Sequence, residues 1–277
     1  MSWKIHKSFN LTNPNLDRQM NRIKNLFQQK NKNILSVFCT AGFPELDSIV
    51  PVLEELQNNG VDMVEIGMPF SDPTADGPVI QYSNNIAIQN GMMLKVLFEQ
   101  LKGIRAKIHI PLVLMGYLNP ALQYGFDDFL RDANACGIDG VIIPDLPMYE
   151  YETFYKEKFE QYHVENIFLV TPQTAENRIR KIDELTDAFI YIVSSNAITG
   201  GNANIQQEQE NYFQRIKSMQ LKNPTLIGFG IKDKQTFDTA CQYANGAIIG
   251  TAFINAIDHS KELKQDIQQF IHKIKSA

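Results

Sequence analysis

Glu65 stands inside an otherwise apolar run, Met63-Val64-Glu65-Ile66, whose composition is that of a strand. Burying a carboxylate costs free energy unless the group is paired, neutral or useful. Desolvation disfavours its charged form and moves its pKa towards the range where general acid–base catalysis works. The competing reading is a core carboxylate held by a buried partner. Asp72, Asp76 and Asp145 lie in loops dense with proline and glycine, GMPFSDPTADGP at 67–78 and PDLP at 144–147. Aspartate is common in such loops for turn chemistry alone, so on residue chemistry Glu65 leads and Asp76 is no better than its neighbours.

A second chemistry, anion binding, is suggested by three turns: Thr199-Gly200-Gly201, Gly228-Phe229-Gly230 and Gly250-Thr251. Glycine lets the backbone approach an anion closely, and successive N–H groups then donate to phosphate oxygens. A short helix beginning near Thr251 would add its positive N-terminal end. One such turn would only close a tight bend; three neighbouring ones favour phosphate. No GxxxxGK[ST] run is present, which argues against a P-loop nucleotide site. Schiff-base chemistry needs a lysine at a strand end, and none of the strand-end segments has one. His6, His109, His163, His259 and His272 show no metal-ligand spacing. Carbon–carbon bond chemistry here would therefore be acid–base chemistry, with no metal.

The elements that must position these groups follow a regular rhythm. Strands are predicted over 35–40, 63–66, 112–115, 140–143, 167–170, 188–193, 226–227 and 247–249, eight in all. Between them lie amphipathic stripes: Ile49, Val52, Leu53 and Leu56, stopped by Gly60, then Phe126, Phe129, Leu130 and Ala133, stopped by Gly137. A last stripe runs Leu263, Ile267, Phe270, Ile271, Ile274, and an opening helix is predicted over about 15–30. Continuous apolar strands mean burial on both faces, as in parallel sheets covered by helices. The fold class is α/β, and eight strand–helix units point to a single (β/α)₈ barrel domain spanning 1–277 with an extra N-terminal helix. An open doubly wound sheet carries the same periodicity. In a barrel the residues just after the strands line the active site, which is where the turns above fall. The polar stretch 202–211 reads as an active-site loop entering the sixth helix, or else as a linker.

Bulk composition agrees with that class. The chain has 277 residues, 44% apolar and 21% charged, and a net charge of −5 gives no reason to expect nucleic acid or an acidic membrane as partner. Three scattered cysteines, Cys39, Cys136 and Cys241, fit a reducing compartment. No secretory signal is expected in MSWKIHKSFN, and no run approaches the roughly eighteen apolar residues of a membrane span. A cytoplasmic protein is the expectation.

The run VEIGMPFSDPTADGP at 64–78 resembles the signature of the tryptophan synthase alpha family. MGYLNP at 115–120, PDLP at 144–147, GFGI at 228–231 and Gly250-Thr251 follow in family order with suitable separations, from about Leu35 to the C-terminus. The long signature is specific, whereas PDLP or GFG alone would be weak. The resemblance implies a lyase of tryptophan biosynthesis that splits indole-3-glycerol phosphate into indole and glyceraldehyde 3-phosphate. It implies catalytic roles for Glu65 and Asp76, the latter holding the indole N–H. Phe38, Tyr117, Tyr191 and Thr199 would line the substrate pocket, and Gly200, Gly230, Gly250 and Thr251 would bind phosphate. For the aromatic residues singly, core packing is the competing reading. Two positions depart from the family pattern: Ala197 stands where glycine is usual, and Thr251 where serine is usual. The resemblance also implies a pyridoxal-phosphate-dependent beta subunit in an αββα heterotetramer, with no cofactor in this chain. The loops 70–73 and 123–125 are the candidate docking side. Other readings are a sugar-phosphate isomerase of the same barrel group, an idle subunit that only activates a partner, and a free-standing indole-releasing lyase.

Overall fold

The computed structural model describes residues 21–74, 76–194, 203–228 and 230–276. Nine parallel strands form one sheet: β1 (Ile34–Thr40), β2 (Met63–Gly67), β3 (Leu112–Met115), β4 (Gly140–Ile142), β5 (Glu165–Ile167), β6 (Leu169–Val170), β7 (Ile190–Val193), β8 (Thr225–Gly228) and β9 (Gly246–Ile249). Their order is β5-β4-β3-β2-β1-β9-β8-β7-β6. The two ends of that order are one stretch of chain interrupted only at Phe168, so the sheet closes on itself. This is the (β/α)₈ architecture expected, with nine strands counted instead of eight. Strands of a barrel are staggered, and this stretch meets β4 through 165–167 on one edge and β7 through 169–170 on the other.

In-register residues on parallel strands share a face. Phe38 pairs with Glu65, Glu65 with Val113, and Val113 with Gly140, so all four positions face the barrel interior. That interior is filled by Ile34, Met63, Ile142, Ile167, Phe189 and Ile248 among others. The alternate residues, such as Val37, Val64 and Leu114, pack outward against the helices. The predicted stripes bury as expected: Ile49, Val52, Leu53 and Leu56 on Ile49–Asn58, and Phe126, Phe129, Leu130 and Ala133 on Phe126–Ala135. Both helices stop where Gly60 and Gly137 take left-handed backbone, at φ 77° and 72°. Each fully buried Ile, Leu or Phe contributes about 1.5–3 kcal/mol relative to exposure.

The opening helix runs over Arg22–Gln29, with the Asn21 side chain accepting from the Ile23 N–H as N-cap. Positions 15–20 of the predicted helix lie outside the described residues. Ile23, fully buried, joins the interior cluster, and Phe27 meets Phe189 at 6.1 Å. The helix therefore plugs the N-terminal mouth of the barrel. It is held by Asn21 Nδ2 donating to the Asp139 carbonyl at 2.8 Å and by Arg22 on the Asp139 carboxylate at 3.1 Å. Arg105 reaches the other Asp139 oxygen at 2.6 Å.

The polar stretch after β7 is not a loop where it is described. From Ala203 it is the start of the helix Ala203–Ser218. Gln, Glu and Asn are acceptable helix residues when one face stays in water, and Gln209, Tyr212, Phe213 and Ile216 turn inward. Tyr212 donates its hydroxyl to the Val170 carbonyl at 3.0 Å, which ties this helix to β6.

Candidate active site

A cavity of about 400 Å³ opens at the C-terminal ends of the strands. Its lining includes Phe38, Asp76, Tyr191, Gly230, Gly250 and Thr251, six of the residues singled out in the sequence. Met115 and Ile248 add apolar wall from the strands, and Val79 and Ile80 from the helix Pro78–Gln89. Volume and lining suit a small aromatic ligand with one polar end. Thr199, Gly200 and Ala197 lie outside the described residues, as does Phe229.

Glu65 sits in the middle of β2 and is fully buried. Ser36, which faces the same interior from β1, donates its hydroxyl to Glu65 Oε1 at 3.3 Å. The second oxygen, Oε2, has no hydrogen-bond partner among the described residues. Burial pushes the Glu65 carboxyl up to about 8, and the Ser36 bond offsets only part of that. Ser36 is thus a buried partner for one oxygen of Glu65 and not for the other. Glu65 is nonetheless absent from the cavity lining itself.

Asp76 enters from the loop after β2, where its N–H donates to the Pro73 carbonyl and its carbonyl accepts from Gln81 Nε2 at 2.8 Å. Burial raises its carboxyl to about 6, opposed by the Tyr117 hydroxyl, which donates to it. Tyr117 is thereby joined to the site through Asp76, although it does not line the cavity, and Phe70 packs on its ring at 5.3 Å. Tyr191 reaches in from β7; burial, then the charges of Glu65 and Asp76, keep its phenol protonated. Cys39 points to the opposite face of β1, and burial followed by the nearby Glu65 pushes its thiol up to about 12.

Three glycines show why the strand ends are built as they are. A Cβ on Gly228 would lie 2.0 Å from Tyr191 Oη and 2.3 Å from Cζ, so only glycine leaves room for that ring. Gly230 holds left-handed backbone at φ 72°. Gly250 N-caps the short helix Thr251–Ile257, as the sequence suggested, and its carbonyl accepts from Phe253 and Ile254.

Ser36, Lys232 and Asn255 are site residues that sequence reasoning passed over. Ser36 becomes visible only when the β1–β2 register sets it beside Glu65. Lys232 and Asn255 line the cavity from the segments after β8 and β9. Among the described residues no group of three or more His, Cys, Asp or Glu is gathered in metal-binding geometry, and no helix is long and apolar enough to cross a membrane.

The family model described as "Tryptophan synthase alpha chain" matches residues 24–277. The chain is 55% identical over 239 residues to the tryptophan synthase alpha chain of Phocaeicola vulgatus, covering 86% of this chain and 93% of that one. It is 51% identical over 255 residues to that of Flavobacterium psychrophilum, covering 92% and 100%. Among solved structures, tryptophan synthase subunit alpha from Legionella pneumophila superposes with a TM-score of 0.82 at 30% identity, over 92% of this chain and 97% of that one. An aminoacrylate-bound tryptophan synthase from M. tuberculosis gives 0.80 at 26% identity, over 92% and 98%.

Proposed function

The chain belongs to the tryptophan synthase alpha chain family, and we propose that Glu65 and Asp76 are the pair of carboxylates through which it acts. The family's reaction is the cleavage of indole-3-glycerol phosphate to indole and glyceraldehyde 3-phosphate, which makes this chain a lyase of tryptophan biosynthesis. The observation that supports the residue assignment is the buried, half-satisfied Glu65 carboxyl on β2, the strand that leads into the loop from which Asp76 lines the cavity.

The chemistry is a retro-aldol cleavage. A proton is added to indole C3, giving an indolenine-like cation. Loss of the proton from the hydroxyl on the adjoining glycerol carbon then breaks the carbon–carbon bond. Its electron pair returns to the indole ring, and the carbon that lost its bond becomes the aldehyde of glyceraldehyde 3-phosphate. With its pKa raised to about 8, Glu65 is protonated at neutral pH and can give a proton, then accept one as carboxylate. Asp76, raised only to about 6, is mostly ionised at pH 7 and suits a hydrogen bond from the indole N–H and the positive charge that develops there. Two carboxyls with their pKa values pushed apart divide acid–base work from charge stabilisation. Because Glu65 is fully buried and does not line the cavity, its side chain must turn towards bound substrate.

Phe38, Tyr191 and Tyr117 are assigned to the indole end. Gly230, Gly250 and Thr251, with Thr199 and Gly200, are assigned to the phosphate. Thr251 keeps the hydroxyl and N–H of the serine usual in the family. Residues 1–277 are taken as one domain, acting in the cytoplasm. This chain is assigned no cofactor; pyridoxal phosphate belongs to the proposed partner, a beta subunit in an αββα assembly. The loops 70–73 and 123–125 are proposed as the docking side, beside the exposed Leu122. A variant altered in both loops is expected to lose its affinity for a beta subunit, and retained affinity would place the contact elsewhere.

The test is indole release from indole-3-glycerol phosphate by the purified chain, alone and with a tryptophan synthase beta subunit. Release that rises with the partner supports the assembly. Equal release in both conditions favours a free-standing lyase, and none in either would overturn the reading.

Ser36 offers a finer check. Its hydroxyl favours the ionised form of Glu65, so Ser36→Ala should raise the Glu65 pKa further. One hydrogen bond to the carboxylate, weakened by its 3.3 Å length, corresponds to about half a pKa unit. The limb of the pH–rate profile governed by Glu65 should move up by that amount; an unmoved limb would show that Ser36 does not set it.

A further inference from the structure

We propose that Lys232 supplies the positive charge at the phosphate end of the cavity, an inference resting on the assignment of Gly230, Gly250 and Thr251 as the phosphate-binding turns. Among the described lining residues there is one carboxylate, Asp76, and one cation, Lys232. Asp76 follows β2 and Lys232 follows β8, with β1 and β9 between them in the ring. Three strand spacings of about 4.8 Å therefore separate the strands that lead to the two charges. A ligand with an anionic end meets repulsion on one side and attraction on the other.

The turns alone leave a charge unanswered. A phosphate monoester carries about −1.5 to −2 charge at neutral pH. Glycine N–H groups are neutral donors, and the helix Thr251–Ile257 has only seven residues to lend its partial positive charge. Lys232 stands two residues beyond Gly230. Its main chain is fixed, because its N–H donates to Thr236 Oγ1 at 3.0 Å and Asp233 caps the helix Lys234–Tyr243. Lys232 is exposed, lines the cavity and forms no ion pair within 4 Å among the described residues. The charged group nearest in sequence, Asp233, has its Oδ1 engaged by the Thr236 N–H and hydroxyl, which with a smaller contribution from the Lys232 charge hold its carboxyl below the usual range. A compact ammonium on a flexible stem suits an anion that arrives from solvent.

The role is recognition and orientation, not bond breaking. Lys232→Gln should raise the KM for indole-3-glycerol phosphate about five- to thirty-fold while kcat falls no more than about two-fold. Binding of glycerol 3-phosphate should weaken by a similar factor, and binding of a phosphate-free indole analogue should not change. Lys232→Arg should recover most of the affinity, and the salt dependence of KM should flatten in the Gln variant. Gly250→Asp serves as the reference, since a Cβ there meets Phe38 at an ordinary 3.5 Å and the added carboxylate would repel a phosphate. If Gly250→Asp abolishes glycerol 3-phosphate binding and Lys232→Gln leaves it within two-fold of the parent, the role of Lys232 is refuted and the phosphate assignment stands. If neither variant affects it, both fall. Equal weakening of the phosphate-free analogue would make Lys232 a structural residue and also refute the proposal.

Discussion

Glu65→Gln is expected to yield a folded protein that still binds glycerol 3-phosphate but cleaves indole-3-glycerol phosphate at least about 10³-fold more slowly. The amide keeps the volume of the carboxyl, so the fully buried position between Phe38 and Val113 in the ladder stays filled. It cannot give and regain a proton, so the step that depends on one is lost. A second effect runs the other way. The folded-state pKa of Glu65 is raised from 4.5 to about 8, so between those values the unfolded chain has released a proton that the folded chain retains. Stability from this group is fully present below pH 4.5 and is lost as pH rises through 8, with a ceiling on the order of 5 kcal/mol. The Gln variant lacks this dependence and should gain in melting temperature relative to the parent as pH goes from 5 to 9. A variant with most of its activity would remove Glu65 from the chemistry. A melting difference that ignores pH would show that its carboxyl is not held neutral.

The second large effect concerns the other mouth of the barrel. Asp139, 4% exposed, receives Arg22, Arg105 and the Leu112 N–H at 2.9 Å. Arg105 also donates to the carbonyls of Gly137 and Ile110. Burial lowers the Arg105 guanidinium to about 10, opposed by the Asp139 charge, so it remains charged at neutral pH. Asp139→Asn leaves two guanidiniums facing a neutral amide. Breaking a buried pair costs about 3–5 kcal/mol, and partial solvent access at both arginines reduces that to about 3 kcal/mol here. The melting temperature should fall by roughly 6–12 °C, while kcat at 25 °C stays near the parent value because no active-site group is touched. A shift under 2 °C would show that the clamp is dispensable.

These two carboxylates differ in how far the sequence revealed them. Glu65 was legible because a lone charge in an apolar strand is anomalous wherever the strand lies. Asp139 was not, since its partners stand 34 and 117 residues away and only barrel closure unites them. Asp76 could not be told from Asp72 by its chemistry; the resemblance singled it out, and in the structure Asp76 lines the cavity beside Tyr117 while Asp72 is not among the lining residues. The strand rhythm and the Gly60 and Gly137 stops were readable from local pattern. The split of the fifth strand was not, because stagger belongs to the closed sheet and leaves no mark on 165–170. The stretch 202–211 misled because its glutamine and glutamate content suits an exposed helical face as well as a loop; Gln207 and Glu208 are exposed while Gln209 is buried.

The pairing of β1 with β9 sets Ile34 opposite Gly246, 212 residues apart. During synthesis at about 5–20 residues per second, one edge of β1 waits on the order of 10–40 s for its neighbour to emerge. Through that interval the row Leu35, Val37 and Cys39 flanks backbone groups with no ladder to join, a surface that other nascent chains can extend. The ring that has no edge when finished is thus most vulnerable to association just before its last strand leaves the ribosome.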